Sequence, residues 1–238
     1  MNKRCSFFFG SCTKEVKPFK NVPITIRSDK CIGFSHCPSS FKCIIADFDE
    51  CKPPYYRTLI FRLVDDRTNN ASLFNFECGY FYVKNKSPNF HNGSFYYLSD
   101  NGTLGFIKLT ERGASRKKFN TSRSPCTNTI NSFIVECNGN QLSVFEGPFG
   151  KWVEIFELNK LTMTWTKVES LVNHMYFVGN TSFFAKGKIA GMENKIYFPR
   201  FYGGSTVFYS SETKKFYTFE DEVANFESVR EPPNYSWI

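Results

Sequence analysis

The sequence predicts an all-β fold, a β-propeller-like array of four-stranded antiparallel blades, and three observations support that prediction. Phe (28), Tyr (12) and Trp (3) make up 18% of the 238 residues, whereas Ala (6) and Leu (10) are scarce. Strands are rich in aromatic and β-branched residues and helices in Ala and Leu, so an all-α bundle is excluded. Short apolar stretches also alternate with Asn-Gly and related turn signals, as in Phe133-Ile134-Val135-Glu136-Cys137 before Asn138-Gly139. Finally, the stretches come in runs of four, the grouping of propeller blades of about 40 to 50 residues each. Strands at this spacing also suit a β-sandwich, and the recurrence of hairpins in fours favours the propeller.

The elements follow in order. Residues 1–22 read as an irregular N-terminal segment, 23–222 as the β domain of about four to five blades, and 223–238 as a C-terminal tail. Cys31 to Phe34, Phe41 to Phe48, Tyr55 to Leu63 and Ser72 to Phe76 form the first run of four. Asn92 to Ile107 reads as strand, Asp100-Asn101-Gly102 turn, strand. Four short strands then fill 133 to 168: the hairpin across Asn138-Gly139, followed by Trp152 to Leu158 and Met163 to Val168, joined by a turn at Asn159-Lys160. His174 to Val178 and Ser182 to Ala185 precede a looser hairpin, Lys195 to Phe198 and Thr206 to Tyr209 across Gly203-Gly204, with Lys215 to Phe219 after it. At about 45 residues per blade the chain holds five units at most, so the array is expected to be incomplete.

A net charge of +8 and a pI near 9.0 raise the question of nucleic-acid binding. Arg116-Lys117-Lys118 and the looser Lys14, Lys17 and Lys20 lie on no amphipathic helix, so a solvated basic surface is expected and nucleic acid is not. No run approaches the ~20 apolar residues of a membrane-spanning helix, and no membrane partner is expected. The nine cysteines are odd in number and lack paired CxxC spacing, which fits buried thiols in a reducing compartment. Phe7-Phe8-Phe9-Gly10 is too short for a signal-peptide core, and the seven N-x-S/T triplets are ordinary in a chain rich in Asn and Ser. The expected location is cytoplasmic or nuclear.

No catalytic residue, metal site or cofactor is expected. His36, His91 and His174 are far apart in sequence and belong to no H-E-x-x-H, G-x-S-x-G or P-loop pattern. Cys31, Cys37, Cys43 and Cys51, with His36 among them, are the best metal candidates, but their spacing on alternating strands would separate the ligands. Asp65-Asp66 and Glu220-Asp221-Glu222 sit in turn-like stretches and are expected to be solvated. Trp165 is expected to cover a seam between sheets, and Ile196, Tyr197 and Phe198 to form an inner strand buried on both faces.

From residue 131 onward an ordered set of segments carries a resemblance. It runs through Phe133 to Gly139, Val153 to Leu158 with Met163 to Val168, Ser170-Leu171 with Met175 to Gly179, Gly191 to Phe198, and Pro232-Pro233 with Trp237-Ile238. Tyr96-Tyr97-Leu98 with Gly102 to Gly105 adds a unit upstream. In this order the segments resemble the plant F-box-associated β-propeller proteins of the KIB type, often labelled F-box/kelch-repeat proteins. The resemblance implies a non-catalytic module that recognises substrates for an SCF ubiquitin ligase. Two departures stand out: residues 1–50 show no helical period of an F-box, and the kelch double glycine occurs once, at Gly203-Gly204. The chain is thus expected to be a shortened member that binds an unknown target protein but no Skp-type adaptor.

Loop aromatics and basic residues beside the hairpin turns are the expected partner contacts: Phe149, Lys151, Arg200, Phe201 and Tyr202. The alternative is a hydrolase or carbohydrate-active propeller, which would need two or more carboxylates converging within about 5 to 10 Å where strands face the axis.

Overall fold

Each apolar stretch singled out in the sequence falls at least in part on a strand of the computed structural model. The described residues are 7–9, 16–18, 31–34, 44–50, 58–65, 70–77, 88–98, 102–110, 113–118, 125–179, 182–187, 190–202 and 205–225. The strands run β1 (Phe7–Phe9), β2 (Val16–Pro18), β3 (Cys31–Phe34), β4 (Ile44–Glu50), β5 (Thr58–Asp65), β6 (Asn70–Glu77), β7 (Asn89–His91), β8 (Ser94–Leu98), β9 (Leu104–Thr110) and β10 (Gly113–Lys118). They continue as β11 (Asn131–Cys137), β12 (Asn140–Glu146), β13 (Val153–Asn159), β14 (Thr164–Lys167), β15 (His174–Phe177), β16 (Phe183–Lys186), β17 (Lys195–Tyr202), β18 (Ser205–Ser210) and β19 (Phe216–Thr218).

Three sheets are simple four-stranded meanders in chain order: β3 to β6, β7 to β10 and β11 to β14. The fourth has five strands in the order β16-β15-β17-β18-β19. Its β15–β17 pair is parallel, so this unit departs from the expected antiparallel blade. β1 and β2 pair with each other antiparallel. After β19, Val223 bridges Tyr217, and the buried Ala224 bonds through its amide to the Phe216 carbonyl.

Turn chemistry sets the registers. Asn138 and Gly139 both take positive φ (52° and 85°), as a two-residue hairpin requires, and pair Cys137 with Asn140. Asn92 and Gly93 do the same (46° and 71°) between His91 and Ser94, so a tight turn stands where one continuous strand was expected to begin. After β13, the Asn159 carboxamide oxygen accepts the amides of Leu161 (2.9 Å) and Thr162 (3.2 Å), an Asx turn that leads into β14.

The sheets stack face to face, and the period-2 alternation of each strand decides which seam a side chain fills. Ile134, Phe145, Phe156 and Leu158 of the third sheet pack on Leu98 and Leu104 of the second. The opposite face of the third sheet, with Phe133, Val135, Val144 and Ile155, packs on Ile196, Phe198, Val207 and Tyr209 of the fourth. Trp165 spans the first of these seams: its indole N–H donates to the Gly102 carbonyl at 3.3 Å, and its ring meets Phe145 edge-on. It is half-buried, as a seam cover should be. Ile196, Tyr197 and Phe198 are essentially inaccessible, and they alternate between the two faces of the fourth sheet. On its far face Tyr197 stacks on Phe177 (4.8 Å) and Phe219 (5.6 Å).

Among the strands, β3 approaches β7, and β11 approaches β7, β8 and β16. One edge strand of each successive sheet, β3, β7, β11 and β16, therefore gathers on the same side of the stack, the arrangement of propeller blades around an axis.

Candidate functional site

The β12–β13 connection is a tight turn held by its own backbone. The Gly147 amide bonds to the Trp152 carbonyl (3.0 Å), Gly150 to Gly147 (3.2 Å), and Lys151 to Pro148 (3.1 Å). Gly147 lies flat against Trp152, and a Cβ there would come within 2.2 Å of the indole, so only glycine fits without displacing that ring. At the tip, Phe149 takes a positive φ of 51° and is 69% exposed. A bulky side chain in the left-handed region is uncommon, and here it presents an aromatic ring outward on a fixed backbone.

Below this turn a cleft of about 220 Å³ opens between the third and fourth sheets. Its floor is apolar: Val153, Ile155, Val168 and Tyr209, all part of the core between these sheets. Its rim is basic, with Lys151, Lys167 and Lys214, and includes one carboxylate, Glu154. Lys167 Nζ bonds to Glu154 Oε1 at 3.1 Å, and that contact raises the lysine pKa and keeps it charged. Lys151 and Lys214 are exposed and have no ion-pair partner among the described residues.

The other Glu154 oxygen accepts the Cys126 thiol at 3.8 Å. Burial, reinforced by this carboxylate, pushes the Cys126 pKa up to about 12. Cys137 is raised in the same direction by burial. The thiolate is the nucleophile, so at pH 8 Cys126 should hold on the order of a thousandfold less of it than an ordinary cysteine. Native protein treated with iodoacetamide at pH 8 should leave the Cys126 peptide unmodified while urea-unfolded protein is alkylated; equal rates in the two states would refute the burial argument. Tyr197 is likewise pushed up to about 12 by burial. Both groups hold their protons in the fold at pH values where the unfolded chain has lost them. Their stabilisation is complete below the unfolded values of about 9 to 10 and is lost as pH climbs towards 12.

The expected contact residues part company here. Phe149 and Lys151 are exposed; Lys151 lines the cleft, and Phe149 precedes it by two residues in the same turn. Arg200 is not a surface residue: it is 3% exposed, and its guanidinium forks onto the Glu146 carboxylate (Nη1 to Oε1, and Nη2 to Oε2 at 2.8 Å) in the seam between the third and fourth sheets. The reason lies in β17, which runs on to Tyr202 rather than ending at Phe198. Arg200 therefore continues the series Ile196, Phe198 on the face towards the third sheet, and the register shift between Phe198 and Phe201 accommodates Pro199, which has no N–H for the ladder. Phe201 and Tyr202 are strand residues paired with Thr206 and Ser205, not loop residues; their side chains, and the Gly203-Gly204 turn, lie outside the described residues.

Trp152, Lys167, Tyr209, Ser211 and Lys214 line the cleft and were missed in the sequence, where each reads as an ordinary strand or turn residue. The thiols of Cys31, Cys37, Cys43 and Cys51, together with His36, lie outside the described residues. Among the described residues no group of three His, Cys, Asp or Glu side chains is placed to hold a metal ion. His174 is the first residue of β15, its Nδ1 3.0 Å from the Leu171 carbonyl. The strands that gather at the axis, β3, β7, β11 and β16, carry a single carboxylate, Glu136. One of its oxygens accepts the Gly139 amide at 2.5 Å and lies 3.8 Å from His91 Nδ1, so no second acid from these strands stands beside it.

Four- and five-stranded sheets stacked face to face, with one edge strand of each gathered on the same side, define a β-propeller-like fold. Residues 32–220 match the model of the KIB1-4 β-propeller, and the chain belongs to that family. No curated protein matches the chain in sequence.

Proposed function

We propose that the chain is a non-catalytic protein-recognition module that resembles the substrate-recognition propeller of F-box ubiquitin-ligase proteins, and that its docking surface is the Phe149 turn with the adjoining lysine-rimmed cleft. The observation behind this reading is the 69% exposed Phe149, held at positive φ on a turn fixed by three backbone hydrogen bonds beside two lysines without ion-pair partners. An exposed aromatic anchor on a rigid backbone loses little entropy on binding and can fill a partner's pocket. The ligase role is drawn from the resemblance to F-box-associated propellers and is consistent with membership of the KIB1-4 family.

Affinity purification followed by mass spectrometry checks the surface. Proteins enriched on the wild-type chain should fall at least about tenfold with Phe149→Ala combined with Lys151→Glu, the loss of one anchor residue. An unchanged protein set would remove this surface from the reading. The same purification tests the ligase connection: no Skp-type adaptor should be enriched with the chain, and robust recovery of one would overturn the expectation that none docks on it.

A further inference from the structure

We infer that the cleft between the third and fourth sheets is a phosphoryl-binding subsite, which receives a phosphorylated serine or threonine side chain from an extended segment of the protein partner. This rests on the reading that the Phe149 turn docks a protein, and it adds the chemistry of what is docked.

Charge comes first. Three lysines and one glutamate line the cleft, an excess of two positive charges, and Lys167 already answers Glu154. What remains for a ligand is Lys151 and Lys214, one from the connection before β13 and the other from the turn after β18. A phosphoryl group carries about −1.5 to −2 at neutral pH with three strong acceptor oxygens, which matches two ammonium groups; a single carboxylate would leave one of them unanswered. Lysine acts as a point charge on a flexible stem, so the two can converge on an anion without the fixed geometry of arginine.

Shape and polarity agree. A volume of about 220 Å³ admits a phosphorylated side chain but not a folded element. The apolar floor of Val153, Ile155 and Val168 suits the methylene or methyl carbons that bear the phosphate, while the charged group stays at the rim. Tyr209 and Ser211 are buried, and the Ser211 hydroxyl donates to the Asn194 carbonyl at 2.9 Å, so the wall is fixed before anything binds. Lys151 on the rim lies two residues after the exposed Phe149 in the same turn, so an extended segment that meets that ring is within reach of the lysines.

The test uses the full chain and three immobilised degenerate peptide libraries: one centred on phosphoserine, one on serine and one on glutamate. Retention on the phosphoserine library should exceed both others by at least about tenfold, the worth of a charge-assisted contact. That excess should vanish in Lys151→Ala/Lys214→Ala and persist in Lys186→Ala, an exposed lysine on β16. Circular dichroism confirms folding of each variant. Equal retention on the phosphoserine and glutamate libraries would overturn the inference in favour of a generic acidic segment. Retention abolished by equimolar inorganic phosphate would overturn it in favour of a free-anion site, and retention on none of the libraries would overturn it outright. The recognition reading is judged apart, because partner enrichment that depends on Phe149 but not on phosphatase treatment would leave it standing while the phosphoryl subsite fell.

Discussion

Arg200→Met and Glu146→Ala should each destabilise the protein by about 3–5 kcal/mol, because either change leaves a buried charge without its partner. Arg200 and Glu146 are 3% and 1% exposed, and the carboxylate is held further by the Asn131 amide at 3.0 Å. The surviving charge stays buried in the seam and loses the forked contact that compensates it. The double variant Glu146→Leu/Arg200→Met removes both charges, so its cost should be well below the sum of the single costs. Urea unfolding followed by tryptophan fluorescence gives all of these values. Additive losses would mean that the two side chains do not act as a pair, and single losses under about 1 kcal/mol would place the pair in solvent. The pair joins β12 to β17 across 54 residues of sequence, so it bears directly on how the third and fourth sheets are held together.

Phe198→Ala should cost a similar amount, about 3–5 kcal/mol, through lost burial and the cavity left behind. Phe198 is 0% exposed, meets Phe133 of the third sheet edge-on at 6.2 Å and Phe216 at 5.5 Å, and lies under the Arg200 guanidinium, 5.0 Å from its ring centroid. Phe149→Ala is the internal comparison: the same change at an exposed ring should alter stability by no more than about 0.5 kcal/mol, as surface substitutions do. Thermal or urea unfolding of the two variants separates the roles. A Phe149→Ala loss as large as that of Phe198→Ala would make Phe149 a packing residue and undo its assignment to the docking surface.

Local chemistry made much of this fold legible. Asn138-Gly139 announces its hairpin because positive φ at two successive positions is a backbone demand that Asn and Gly meet. Ile196-Tyr197-Phe198 announces a strand buried on both faces because three consecutive apolar side chains cannot all point the same way. The site was legible only in part. Phe149 and Lys151 follow a Gly-Pro turn and read correctly as surface. Arg200 follows Pro199, which reads as a strand terminator, and arginine is seldom fully buried; both signals point to a loop. They were overridden by Glu146, whose carboxylate compensates the buried guanidinium and which no local pattern connects to it. Lys167 and Lys214 became visible as one rim only when β14 and the turn after β18 were brought to the same cleft.

The amino-acid sequence by itself determined the strand content, most of the turns and the meander order, because propensity, φ preference and side-chain alternation act over a few residues. It also held the ordered segments that mark the family. Only the tertiary structure decided the parallel β15–β17 pair, the burial of Arg200 against Glu146, and the meeting of Lys151, Lys167 and Lys214 around one cleft. Each of these depends on which sheet faces which, and that is set by the summed burial of apolar faces from segments far apart in the chain, a quantity no short window of sequence contains.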